Sequence, residues 1–277
     1  MATATVPFTK IRSTSGWRAL DLRQIWLFRD LLTTLAERDI KLRYRQTALG
    51  VAWVVLQPLL AAGIFSFVFG RVAGLSSDGI PYFIFAYAGL LAWTAFSSTV
   101  TKASSCLVGN AQLVSKVYFP RLILPLSTIF STLIDFGVAL GMMAVLMVSY
   151  GVRPTLGLLF LPVCLLLILM LALGVGLYAS ALMVTYRDVQ YILPVLIQFF
   201  MYASPVAYAV SQVPAHFHTL YFLNPLSGLF EAFRWCFFGN GDVGVSHLLY
   251  SAAFAVAVFV GGALSFRKME RQFADVI

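Results

Sequence analysis

Charge drops out of one stretch of this chain after another, and the lengths of those stretches predict its architecture. Residues 48–70 form a run of 23 without a charged side chain. At the helical rise this run covers about 34 Å, enough to cross a hydrocarbon core with some tilt. Further apolar runs cover residues 83–101, 122–150, 156–186, 191–210 and 246–266. Each reads as a membrane-spanning helix. Pro58 falls inside the first run, where neighbouring helices in a membrane re-satisfy the carbonyl that a proline leaves free. The gap at 71–82, with Gly74, Gly79 and Pro81, reads as a loop.

Residues 220–238 are apolar and aromatic but carry Asn224, Pro225, Gly228, Glu231 and Arg234. Charge parity decides their reading. Nine of the nineteen Lys and Arg residues precede residue 46, and Arg267, Lys268 and Arg271 follow the last run. Basic flanks mark the cytoplasmic side, and two tails on one side need an even number of crossings. Six spans satisfy this, so 220–238 reads as one or two short re-entrant or interfacial helices on the outer face. That topology puts sixteen basic residues inside, among them Lys102, Lys116, Arg121 and Arg187, and only Arg71, Arg153 and Arg234 outside.

Residues 20–44 mix apolar and charged positions. Leu22, Ile25, Trp26, Leu32, Leu35 and Ala36 can share one helix stripe, leaving Arg18, Arg29, Arg38 and Arg43 to reach lipid phosphates. An interfacial helix on the inner leaflet is expected, with a helix packed on a partner as the alternative. The expected organisation is an all-α chain. A cytoplasmic tail and interfacial helix cover 1–47, a six-span domain 48–266 and a second cytoplasmic tail 267–277.

Composition agrees. The chain has 277 residues, 60% hydrophobic and 11% charged, more apolar surface than a water-soluble domain can hide. The net charge of +8 lies at the tails and in short gaps, which argues against a nucleic-acid face. Cys106, Cys164 and Cys236 form no CxxC pair, so neither a zinc site nor a disulfide framework is indicated. The first forty-seven residues hold no sustained apolar core, so no cleavable signal peptide is expected.

Candidate chemistry is sparse. No HExxH, GxSxG or GxxxxGK[ST] pattern occurs, so the chain has no P-loop ATPase site of its own. His216, His218 and His247 read as solvated loop residues rather than a metal site. Asp135 is the clearest charge within a span, and must face protein, water or a partner, or be protonated. It reads equally as a conduit group, a helix tether or a local hydrogen-bonding residue. Gly137 and Gly141 allow close helix approach, read as chance or local packing before a dimer seam. Tyr82, Phe85, Tyr87 and Trp93 near the second span, and Tyr202, Tyr208, Phe222, Phe230 and Phe233 around 200–238, supply ring faces on which sugars stack. Aromatic belts at membrane interfaces are the ordinary alternative. Residues 110–121 can make a short amphipathic helix ended by Pro120 on the cytoplasmic face, a handle for another protein.

Three blocks resemble the ABC-2 type permeases that export polysaccharide or polyol-phosphate polymers, such as O-antigen, capsule or teichoic acid. The first holds Arg38, Asp39, Lys41, Arg43, Tyr44 and Arg45, then Gly50, Gln57 and Pro58. The second holds Asn110, Gln112, Leu113, Lys116, Tyr118, Phe119, Pro120 and Arg121, running on to Pro125. The third holds Ser204, Pro205 and Tyr208, then Asn224, Pro225, Glu231 and Arg234.

The resemblance implies a homodimer of six-span subunits working with two separate nucleotide-binding subunits. It implies no cofactor on this chain, ATP and magnesium being held by the partner. The second block would be the coupling helix that docks on the ATPase. The first would be the end of the interfacial helix, also near the ATPase. The third, with Phe222, Phe230 and Phe233, would form the outer gate. The expected function is export of a lipid-linked polysaccharide from the cytoplasmic side across the inner membrane, both termini being cytoplasmic. The alternatives are an exporter of small hydrophobic molecules or drugs, a membrane glycan- or lipid-modifying enzyme, and a channel.

Overall fold

Helices account for every regular element among the described residues of this computed structural model, which cover 22–45, 52–239 and 244–270. The expected first residues of the interfacial helix and of span one, and the tail beyond 270, lie outside them. Helix α1 (Leu22–Leu27) and α2 (Arg29–Arg45) meet at Phe28. Helix α3 (Ala52–Phe65) contains Pro58 and continues in wider π geometry through Ser66–Val72. The loop expected from residue 71 therefore starts at Ala73, and Arg71 belongs to the helix.

Helix α4 (Tyr82–Gly109) runs eight residues past the expected end of span two. Polar Lys102 did not stop it, because the apolar spacing resumes beyond it. Lys102, expected in a cytoplasmic loop, is thus a helical residue. Helix α5 (Ala111–Lys116) follows, and ends four residues before Pro120. Helix α6 is Ile123–Ser149, and α7 is Leu161–Thr185, entered through a tight turn at Leu156–Phe160.

The expected fifth span is shorter than its apolar run. Helix α8 (Val189–Ala203) stops before Pro205, because the residue ahead of a proline is driven out of helical geometry. The short α9 (His218–Phe222) and α10 (Pro225–Phe238) occupy the region read as outer helices, and α11 is Val245–Glu270. Asn224 caps α10 by accepting a hydrogen bond from the Leu226 amide at 3.1 Å, with Pro225 at the first helical position. Five helical segments among the described residues are long and apolar enough to cross a membrane, and α8 is a sixth apolar helix of 15 residues.

Helix α4 is central, packing on α3, α6, α7 and α10, while α11 lies along α7. Helices α7 and α11 approach each other closely. A Cβ built on Gly262 would overlap the carbonyl oxygen of Gly174, and one on Gly174 would come within 2.6 Å of the Val258 carbonyl. Glycine is required at both positions by space. Gly137 and Gly141, by contrast, have nothing within 4 Å of an added Cβ. Local packing inside the subunit is therefore removed for those two, and the reading of their spacing as chance stands beside that of a dimer seam.

One end of the bundle gathers α2, the end of α4, α5, the start of α6 and the ends of α7 and α11. Leu35, Phe119, Leu122, Val184 and Phe266 form a shared apolar cluster there. The N-terminal helix and the end of α11 thus lie at the same end of the molecule.

Candidate coupling face, charge latch and outer gate

The two blocks expected near a partner meet at that end. Arg38 donates from Nη2 to the Asn110 side-chain oxygen at 2.8 Å and to Asp39 at 2.9 Å. Asn110 in turn donates to the Cys106 carbonyl at 2.8 Å, so the entry to α5 is pinned to both α2 and α4.

Helix α5 has two distinct sides. Val114 is buried, Leu113 is partly buried, and Phe119 is only 5% exposed, seated in the apolar cluster. Gln112, Lys116 and Tyr118 face outward, Tyr118 at 71% exposure. Arg121 donates from Nη1 to the Glu270 carbonyl at 2.8 Å, and its backbone amide donates to that carboxylate at 3.2 Å. Arg121 therefore ties this segment to α11. Of the eight residues read as a coupling surface, Gln112, Lys116 and Tyr118 present themselves. Leu113, Phe119 and Arg121 fix the segment in place, and Pro120 is half-buried between them.

The arginines of α2 turn toward protein as well as outward. Arg43 pairs with Asp135 Oδ2 at 3.0 Å, Lys102 pairs with the same oxygen at 3.0 Å, and Tyr44 donates its hydroxyl to Oδ1 at 2.6 Å. Lys102 also donates to Ser131 at 3.0 Å. Asp135 is thus a tether joining α2, α4 and α6. Burial first, then the hydrogen bond to Asp135, push the Tyr44 phenol up to about 12, so it remains a donor at physiological pH. Its contribution is complete below the ordinary phenol value of about 10 and fades as pH climbs through about 12.

On the interfacial stripe, Leu35 and Ala36 are buried, but Trp26 is exposed, with Arg29 5.1 Å over its ring. Trp26 does not join the buried stripe, because the break at Phe28 re-aims α1. Asp39 and Lys41 pair locally with Arg38 and Glu37. The side chain of Arg45 lies outside the described residues.

The third block comes together at the opposite end. Residues 204–208 leave α8 and press on α4, where a Cβ at Gly89 would overlap the Val206 carbonyl oxygen. Asn224 holds the turn, donating to the Ala203 carbonyl at 3.2 Å and to Ser204 Oγ at 2.9 Å. Arg234, only 3% exposed, pairs with Glu231 at 2.8 Å and donates to the Tyr208 carbonyl at 3.2 Å. Its guanidinium also lies 4.4 Å from the Phe85 ring centre. A buried cation needs such a full set of partners. Tyr82 donates to the Ala207 carbonyl at 2.5 Å.

The aromatic residues divide. Phe85, Tyr87, Trp93, Phe230 and Phe233 are buried in the subunit core, with Tyr87 donating to the Ala139 carbonyl at 3.0 Å. Tyr202 is 60% exposed, and Tyr82, Tyr208 and Phe222 are half-buried. His218 contacts the Val213 carbonyl at 2.8 Å, and His247 stacks on Phe222 at 3.9 Å.

Sequence reasoning missed Lys102 and Glu270 as functional neighbours. The apolar pattern continuing past Lys102 to Val108 was the available signal for the first. Nothing local signals the second, which is a contact between distant segments.

Long apolar helices, with an amphipathic N-terminal helix, a small two-sided helix and the end of the last helix gathered at one pole, define a multi-pass membrane protein. The chain belongs to the ABC-2 type transporter family, whose pattern matches residues 30–238. It is 30% identical over 258 residues to the O-antigen export system permease protein RfbA of Myxococcus xanthus, covering 92% of this chain and 98% of that protein. A protein of the same name from Klebsiella pneumoniae is 29% identical over 250 residues, covering 90% of this chain and 95% of that protein. The polysialic acid transport protein KpsM of Escherichia coli is 26% identical over 234 residues, covering 82% and 89%.

Proposed function

We propose that this chain is the membrane-spanning subunit of an ATP-driven exporter that moves a lipid-linked, O-antigen-like polysaccharide across the inner membrane. The observation that carries this is similarity over nearly the whole length to permeases named for O-antigen export. The test is reconstitution in vesicles with the cognate ATPase and a lipid-linked glycan. ATP-dependent movement of the glycan is expected. Movement of hydrophobic drugs alone, or conduction without any ATPase, would select one of the rival readings.

Six spans are part of the proposal. The contacts of Arg38 with Asn110 and of Arg121 with Glu270 put both described ends beside the loop between α4 and α6. Two ends on one side need an even number of crossings. The five long segments are odd in number, so α8 with the segment after it supplies the sixth. Cysteines introduced as Ser76→Cys and Lys268→Cys should differ in intact cells, with the first reacting with an impermeant maleimide and the second protected. Labelling of both would sink the topology.

Two copies would enclose a conduit between the apolar faces that α3 and α8 leave open, where Leu60, Ile64, Tyr191 and Phe199 are exposed. Tyr202 and Tyr208 are the rings best placed to meet a glycan. The buried rings would act through the gate's packing. Two nucleotide-binding subunits carrying ATP and magnesium would dock on Gln112, Lys116 and Tyr118, and their motion would reach Asn110 and α2 through Arg38. The double variant Lys116→Ala/Tyr118→Ala should cut transport about tenfold, within the range of allosteric couplings, with insertion unchanged. Arg121 is left out because its loss would loosen α11. Wild-type transport in the double variant would remove the coupling assignment.

A further inference from the structure

We infer that the recess between α3, α4 and α6 is a monosaccharide subsite, in which Gln57 and Ser98 hydrogen-bond one sugar unit of the glycan on its way across the bilayer. This deepens the export reading and rests on it. The half-open recess has a volume of about 220 Å³, the space of about seven waters. That is the scale of one sugar ring, not of a coiled stretch of polymer.

Depth excludes a lipid headgroup. Helix α4 is about 42 Å long, and Leu90 and Ser98, which both line the recess, stand about 12 and 24 Å from its Tyr82 end. The recess therefore lies between the two headgroup layers, at the level of hydrocarbon.

Polar groups at that level need partners. Gln57 is exposed and Ser98 half-buried, and among the described residues neither side chain makes a hydrogen bond. Pro58 has no amide to offer the Val54 carbonyl, and Val54 lines the same recess. Thr94 donates its hydroxyl to the Leu91 carbonyl at 3.1 Å and keeps its lone pairs for a donor. The charged groups on the wall, Arg43 and Asp135, hold each other at 3.0 Å, so the side chains without partners are uncharged. An acyl chain satisfies none of them. A sugar ring suits the whole surface, because each hydroxyl both donates and accepts, and its C–H faces can rest on Pro58, Leu90 and Phe136.

Position supplies the route. Gln57 shares the exposed stripe of α3 with Trp53, Leu60 and Ile64, at three- and four-residue spacing. Leu60 and Ile64 belong to the face assigned above to the conduit, and Gln57 is the polar member of that stripe. It stands where recess and conduit meet.

The permease with its ATPase subunit in vesicles tests the subsite through a cysteine. Ser98→Cys should react with a small charged methanethiosulfonate well above wild type, whose three cysteines are buried. During ATP turnover, lipid-linked glycan should slow that reaction at least about fivefold, the value of about one hydrogen bond, and the sugar-free lipid pyrophosphate should not. Gln57→Leu keeps the volume and removes the hydrogen bonds. It should lower glycan transport about fivefold with the unfolding midpoint held or raised, because a side chain without a partner in the subunit adds nothing to its stability. A purely structural role would lower the midpoint instead. Ser98→Cys no more reactive than wild type, equal slowing by the sugar-free lipid, or wild-type transport in Gln57→Leu overturns the subsite. Each of those results leaves wild-type transport intact, whereas failure of the export reading shows as wild-type vesicles that move no glycan.

Discussion

Asp135→Ala should destabilise the subunit by about 3 kcal/mol and release α2 from the bundle. One carboxylate anchors Arg43, Lys102 and the Tyr44 hydroxyl. Its removal leaves two cations facing each other in a largely apolar setting. Breaking a buried pair by deleting one partner costs about 3–5 kcal/mol, and the partial exposure of Arg43 places this case at the low end. The measurement is the unfolding midpoint of the purified protein, together with its abundance in the membrane. Adding Arg43→Gln should recover part of the loss, because it removes one stranded charge, so the two changes should not be additive. An unchanged midpoint in Asp135→Ala would mean that the tether contributes nothing to docking α2.

Gly262→Val should be comparably damaging, for a steric reason. Its Cβ would fall on the backbone of Gly174, and backbone cannot swing aside as a side chain can. Helices α7 and α11 would separate along their shared face. Overpacking of this kind costs about 1–3 kcal/mol, and a backbone obstacle points to the upper part of that range. The expected readout is a sharp fall in folded yield and in unfolding midpoint. Gly137→Ala and Gly141→Ala are the controls, because both positions are open within the subunit. A loss with those two would place a second copy against α6. A Gly262→Val protein as stable as wild type would refute the close crossing.

Pro205 and Asn224 show how far local sequence reaches where the third block gathers. Pro205 accounts for the end of α8, and Asn224 with Pro225 for the start of α10. Neither tells that residues 204–208 fold back onto Gly89, or that Arg234 is buried between Glu231, Tyr208 and Phe85. The aromatic rings illustrate the same limit. Their abundance suggested a sugar-stacking surface, yet Trp93 and Phe230 meet edge to face in the core, with centroids 6.3 Å apart. Ring content is a property of composition, whereas exposure belongs to packing.

Taken alone, the sequence determined the all-helical membrane architecture, the approximate position of each apolar helix and the kinship of its three blocks. Those follow from short-range physics: an apolar run of sufficient length has to be helical to satisfy its backbone in lipid, and prolines and caps set its ends. Tertiary structure alone decided that Lys102 joins Asp135, that Glu270 receives Arg121, and that Gly174 and Gly262, rather than Gly137 and Gly141, mark the tight crossing. A charge or a glycine carries no record of which distant surface it will meet, because burial and pairing are settled only when whole helices pack.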